Sequence, residues 1–180
     1  MDHAVDQHAE YRAFHRGGAV YLLVEAALWL AAASVGYLGH ESTAVVLLVF
    51  GGMFIHLVAS GISRRLKFPE PSEGNRLAVL NTFVALTIPL GLPLIYMACG
   101  DGRLNLFFPA FSILVGAHWL PFVYIYRMWT FSLLAGIMVA LGIFFGFINT
   151  ASFSAAGFAA SAALLVFGLL HLRLVQREVL

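Results

Sequence analysis

Four side chains in the long apolar stretches of this chain carry chemistry: Glu25, His56, Asn81 and His118. A carboxyl and two imidazoles can bind and release protons, and an amide can hold a polar solute by donating and accepting hydrogen bonds. These four are the candidate binding or transport residues, and none is read as catalytic. Glu25, His56 and His118 are also, in kind, the one-carboxylate, two-imidazole ligand set of a zinc enzyme. No two of them share a helix in the manner of His-Glu-x-x-His, so no metal site is expected. The sequence has no serine elbow and no phosphate-binding glycine loop, and its one lysine, Lys67, falls between helices, where it cannot hold a Schiff base inside one. The expectation is a protein without cofactor that is more a non-enzyme than an enzyme.

The elements that must position these residues are transmembrane helices. Of 180 residues, 61% are hydrophobic and only 11% charged, and the mean hydropathy is +0.90. Soluble domains carry about 25% charged residues, so this chain lacks the polar surface a soluble fold shows to water. Six windows are long enough for a bilayer core, which takes roughly 20 residues per helix. They run from Ala19 to Gly39, Thr43 to Ile62, Leu77 to Ala98, Asn105 to Tyr126, Trp129 to Asn149 and Phe153 to Leu172. Their apolar residues form continuous runs and not the alternation of a membrane barrel. The expected fold is all-α, a compact polytopic bundle of six helices forming a single integral membrane domain over residues 1–180 with short polar termini. The lone Cys99 excludes an intrachain disulfide. The first apolar run is too long for a signal-peptide core, about 7–15 residues, and is read as a retained helix.

Charge placement orients the bundle. Arg12, Arg16, Arg64, Arg65, Lys67, Arg76, Arg127, Arg173 and Arg177 fall on one side of the six windows, and Arg103 alone on the other. By the positive-inside rule the basic side is cytoplasmic, so both termini are expected inside a bacterial cytoplasmic membrane. The loops are too short to be domains, and no basic patch is large enough for nucleic acid. Lipid is the expected partner, with a second copy of the chain and a small solute as further candidates.

Depth gathers the four polar residues. Counted from the basic side at 1.5 Å rise per residue, Glu25 and His56 lie about 9 Å deep, His118 about 12 Å and Asn81 about 6 Å. Ionisable groups at such depth face a bundle interior or a cavity, and mark candidate functional sites. Helical spacing places Gly18, Tyr21, Glu25, Ala32 and Gly36 on one stripe and Gly52, His56, Ser60 and Ser63 on another, both small or polar. Glu25 can equally be a packing residue bonded to a histidine or to Arg127, and His171 and Arg173 are placed to snorkel at the end of the last helix. Small residues offer close helix contacts at Gly142 with Gly146, at Gly136 with Ala140, and along Gly157, Ala160 and Ser161. Pro89 and Pro93 should kink the outer half of the third window.

Phe50-Gly51-Gly52 precedes His56, Gly116 precedes His118 and Phe167-Gly168 precedes His171, an echo that fits either a tripled hairpin or chance in a glycine-rich sequence. Three further stretches carry a family resemblance: Arg12 with Gly17 and Gly18 at the first helix, Phe50 to Met53 in the second, and Phe107 to Ala110 at the start of a later one. Over much of its first 130 residues the chain resembles an uncharacterised family of small bacterial six-helix integral membrane proteins. The resemblance implies that architecture and no catalytic residue. The functional expectation is a small-solute or proton-linked transporter or channel. The alternative is a structural or binding membrane protein whose polar cluster only fixes packing.

Overall fold

The computed structural model describes residues 6–150 and 152–178. The first five residues and Ala151, in the predicted Asn-Thr-Ala-Ser loop, lie outside them. Among the described residues every regular element is helical. The helices are α1 (Gln7–His15), α2 (Ala19–Tyr37), α3 (Glu41–Arg65), α4 (Arg76–Ala85), α5 (Thr87–Ala98), α6 (Phe107–Trp119), α7 (Phe122–Tyr126), α8 (Thr130–Ile143) and α9 (Ala155–Glu178). A 3₁₀ turn, Leu104–Leu106, leads into α6, and a π-helical stretch, Phe144–Ile148, extends α8. Such runs become helices because each backbone N–H and C=O in lipid must be satisfied within its own segment.

Five helices are long and apolar enough to cross a bilayer: Ala19–Tyr37, Glu41–Arg65, Arg76–Ala98, Thr130–Ile148 and Ala155–Gln176. The predicted Asn105–Tyr126 span is realised differently. Its apolar helix, Leu104–Trp119, is shorter, and the chain turns at Leu120 and Pro121 before α7. The protein is an integral membrane protein with an all-helical bundle fold.

Packing runs in an arc. α2 is the central post, with α9 against one side and α3 against another; α8 joins α9 to α6, and α5 packs on α6. Trp29 of α2 lies between Phe108 and Phe111 of α6, at ring-centroid distances of 5.8 and 5.7 Å, tying the two halves together. The arc does not close, because α3 and the α4–α5 rod make no extensive contact with each other.

Three expectations about packing are corrected in detail. The third window breaks at Leu86, in the middle of its length and not in the outer half. A proline ring clashes with the carbonyl four residues earlier, and for Pro89 that is Ala85, the last residue of α4. Gly142 is a genuine close contact, since a Cβ there would stand 2.6 Å from the Pro109 carbonyl oxygen, but Gly136 has nothing within 4 Å of that position. His171 does not snorkel: it is fully buried, 2.7 Å from Thr130 Oγ1 and 2.9 Å from the Gly17 carbonyl oxygen. That carbonyl is free because Gly17 and Gly18 turn the chain at φ 61° and 78°, leaving the α1–α2 corner outside any helical ladder.

The polar N-terminal segment contains an element that apolar windows do not mark. Asp6 caps α1 by accepting from the His8 and Ala9 amides, and Tyr11, Phe14 and His15 form its buried stripe. α1 lies across the basic end of the bundle. Ser72 Oγ donates to Glu10 at 2.9 Å, Asn75 Nδ2 to the Gln7 carbonyl at 2.9 Å, and Arg127 Nη1 to Asp6 at 3.0 Å. The Ser72 hydroxyl is the main reason the Glu10 carboxyl titrates below its ordinary range, with Asn75 adding to it.

Candidate functional site

The open side of the arc encloses a cavity of about 340 Å³ lined from α2, α3, α4, α5, α6 and α7. All four sequence-derived candidates, Glu25, His56, Asn81 and His118, stand on its wall. Their arrival together follows from the helix directions. α2 and α4 leave the basic end while α3 and α6 return to it, so residues a few turns from that end share a level.

The four differ in what they touch. Glu25 is 7% exposed, and its one hydrogen bond comes from Trp29 Nε1, one turn along α2, at 3.3 Å. It bonds neither a histidine nor Arg127, whose guanidinium is paired with Asp6. Asn81 is 6% exposed, and its carboxamide has no hydrogen-bond partner among the described residues. The residue lies on the cavity wall with its amide uncommitted, able both to donate and to accept there. His56 sits at the cavity edge with Nδ1 2.8 Å from the Tyr21 hydroxyl, and Ser60 Oγ is 3.4 Å from that hydroxyl.

His118 is committed to the backbone. Its Nδ1 lies 3.1 Å from the Val84 carbonyl oxygen and 3.0 Å from Thr87 Oγ1. A carbonyl can only accept, so Nδ1 carries the proton and donates to Val84. The Thr87 hydroxyl donates to the same oxygen at 2.7 Å. Together they satisfy backbone at the α4–α5 break, so His118 holds the bent rod against α6. Among the described residues no three His, Cys, Asp or Glu side chains are grouped to hold an ion.

Several wall residues lie outside the original four. Tyr21 anchors His56, and its stripe position next to Glu25 was the signal for it. Trp119 lines the cavity with an indole N–H that has no partner among the described residues; nothing in its sequence context marks it. Toward the basic end the polar path continues. The His15 ring is 4.9 Å from the Tyr21 ring, and buried His15 Nδ1 and Ser63 Oγ both lack a partner among the described residues. Burial, then repulsion from His56, pushes the His15 imidazole down to about 3, so it is neutral at ordinary pH.

Gly52 adds to the space. It lines the cavity, and a Cβ built there would have nothing within 4 Å. The wall is mostly hydrocarbon and aromatic ring, with its polar groups gathered toward the basic end.

No curated protein and no solved structure matches this chain. A family model described as a family of unknown function, DUF7010, matches residues 6–174. Since that match takes in nearly the whole chain, the protein belongs to the DUF7010 family.

Proposed function

We propose that this protein carries a small solute across a bacterial cytoplasmic membrane, in a proton-linked manner, through the cavity between α2, α3, α4–α5 and α6. In this reading the chain crosses six times, with the α6–α7 segment as the fourth crossing and both termini in the cytoplasm, as the distribution of basic residues favours. The observation that carries the reading is the placement of Glu25, His56 and Asn81 on one cavity wall. A bundle that needed these groups only for packing would pair them with each other or with backbone, as His118 and His171 are paired. Glu25 has a single long bond and Asn81 has none.

A carboxyl at this depth is the natural site for proton coupling, because solute and proton can compete for it. The bent α4–α5 rod supplies a movable wall, since its backbone ladder is already interrupted at Leu86. The test is flux in vesicles holding a pH-sensitive dye, across candidate solutes. Intact protein should acidify or alkalinise the lumen when solute is added, and the double variant Glu25→Gln, His56→Ala should not. Equal flux from both proteins removes the mechanism. No flux from the intact protein would favour the alternative, a membrane protein in which the cavity binds without transport.

A further inference from the structure

We infer that the cavity takes a lipophilic organic cation, an ammonium carried on an apolar body, and admits it sideways from the bilayer between α3 and α4–α5. The inference rests on the cavity being a solute site, and deepens that reading by naming the solute's chemistry. Access comes first. Wall residues on α2 and α6 such as Glu25, Trp29, Phe111 and Trp119 are buried, whereas Met53 and His56 on α3 and Leu86 and Pro89 on the rod are both exposed and on the wall. The mouth is therefore the gap where α3 and the rod fail to pack, and in a membrane that gap faces acyl chains. An apolar entrance selects a solute that already dissolves in the bilayer.

The inner wall then selects charge. Glu25 lies well inside its span, whereas Glu41 only opens α3 at its end, and among the described residues no Lys, Arg or His is paired with Glu25. The same cavity is lined by the aromatic side chains of Tyr21, Trp29, Phe111, Trp119 and Phe122, and Trp29 touches Glu25 directly. Aromatic rings attract a desolvated cation through their quadrupoles, and a carboxylate supplies the net opposite charge. The rings also hold a neutral apolar body, but the carboxylate favours only a cation. Asn81 adds an uncommitted amide oxygen that can accept from an N–H of a primary or secondary amine. The gradient along the wall matches such a molecule: its ammonium would lie at the Glu25 level and its apolar body toward Leu28, Leu48 and Leu92, nearer mid-bilayer.

Binding is tested on the full chain in nanodiscs, with phenyltrimethylammonium as probe and tert-butylbenzene as its neutral isostere. Trp29 and Trp119 lie on the wall, so tryptophan fluorescence reads occupancy. The cation should bind saturably, and the isostere more weakly by about tenfold or more, as losing a desolvated charge contact implies. Glu25→Gln should weaken the cation by a similar factor without affecting the isostere. Gly52→Leu, which fills open space, should abolish binding of both and leave the thermal midpoint unchanged or raised. Equal binding of cation and isostere overturns the inference, and so does no binding of the cation. The isostere comparison needs no variant, so a poorly folded Glu25→Gln cannot rescue or sink it. Cation binding without any flux would remove the transport reading alone. Flux of neutral solutes without cation binding would remove only the present inference.

Discussion

Replacing His171 with leucine should destabilise the bundle by about 2–6 kcal/mol, and the figure follows from what the imidazole holds. Its Nδ1 faces the Gly17 carbonyl at 2.9 Å, so Nδ1 must donate and Nε2 must accept from the Thr130 hydroxyl at 2.7 Å. The one neutral tautomer thus joins α9, the start of α8 and the corner before α2 at a site with no exposure. Leucine leaves the Gly17 carbonyl and the Thr130 hydroxyl unpaired, at about 1–3 kcal/mol each. For a chain of this length about 1 kcal/mol corresponds to roughly 2–4 °C in the unfolding midpoint, so a fall of roughly 4–24 °C is expected. Thr130→Val removes one of the two bonds and should cost less. In the double variant the costs should not add, because both changes break the same bond. Thermal unfolding in detergent, followed by tryptophan fluorescence, measures all three. A His171→Leu midpoint within about 1 °C of the parent, well under the loss of a single buried bond, would mean that the side chain does not bridge these elements.

Gly142→Val should cost about 1–3 kcal/mol by overpacking, since its Cβ would meet the Pro109 carbonyl oxygen at 2.6 Å. Gly136→Val, with nothing within 4 Å, should change the midpoint little, and equal costs would refute the α6–α8 contact. Docking of α1 should weaken as pH falls from about 6.5 toward 3. The His15 imidazole is held neutral when buried among Tyr11, Phe14, Tyr21 and Tyr126, so the undocked state binds the extra proton across that window. Hydrogen exchange of residues 7–15 should show this, and His15→Phe should flatten it; equal pH dependence in both proteins would refute it. In a Cys99→Ala background, Asp101→Cys should label from outside intact cells and Ser72→Cys should not. The reverse pattern would overturn the proposed orientation.

Helix type was legible because a lipid-spanning segment leaves the backbone one solution, and continuous hydrophobic runs encode it directly; the fourth window, Asn105–Tyr126, was not, since its apolar helix, Leu104–Trp119, is shorter than the five helices among the described residues that are long enough to span. Depth was legible for the same reason: fixed rise per residue and alternating direction bring Glu25, His56, Asn81 and His118 to one level before any contact is known. Partner choice was not. Glu25 bonds Trp29 on its own helix, His56 bonds Tyr21, His118 bonds the carbonyl at a helix break and His171 bonds a glycine carbonyl. Three histidines preceded by similar glycine-containing stretches thus do three different jobs. Each job is set by which neighbour has an unsatisfied group, a property of the packed bundle. α1 escaped notice because its buried stripe of Tyr11, Phe14 and His15 interrupts an otherwise polar segment, so no average of hydropathy rises there.

The cavity and the kinked rod have one cause. A straight helix over residues 76–98 could lie along α3 and bury the exposed faces of both. Pro89 withholds the N–H that would bond the Ala85 carbonyl, and His118 of α6, with Thr87, bonds the Val84 carbonyl beside that break, holding the rod to α6. Gly52 on the opposing wall withholds the side chain that would otherwise fill the gap. Two local features, a proline in the rod and a glycine facing it, therefore keep open a space that packing energy alone would collapse. What they hold open is the region around the uncommitted Asn81 amide and the Glu25 carboxyl. Pro89→Ala should accordingly let the rod straighten toward α3, raising the unfolding midpoint while reducing whatever the cavity binds.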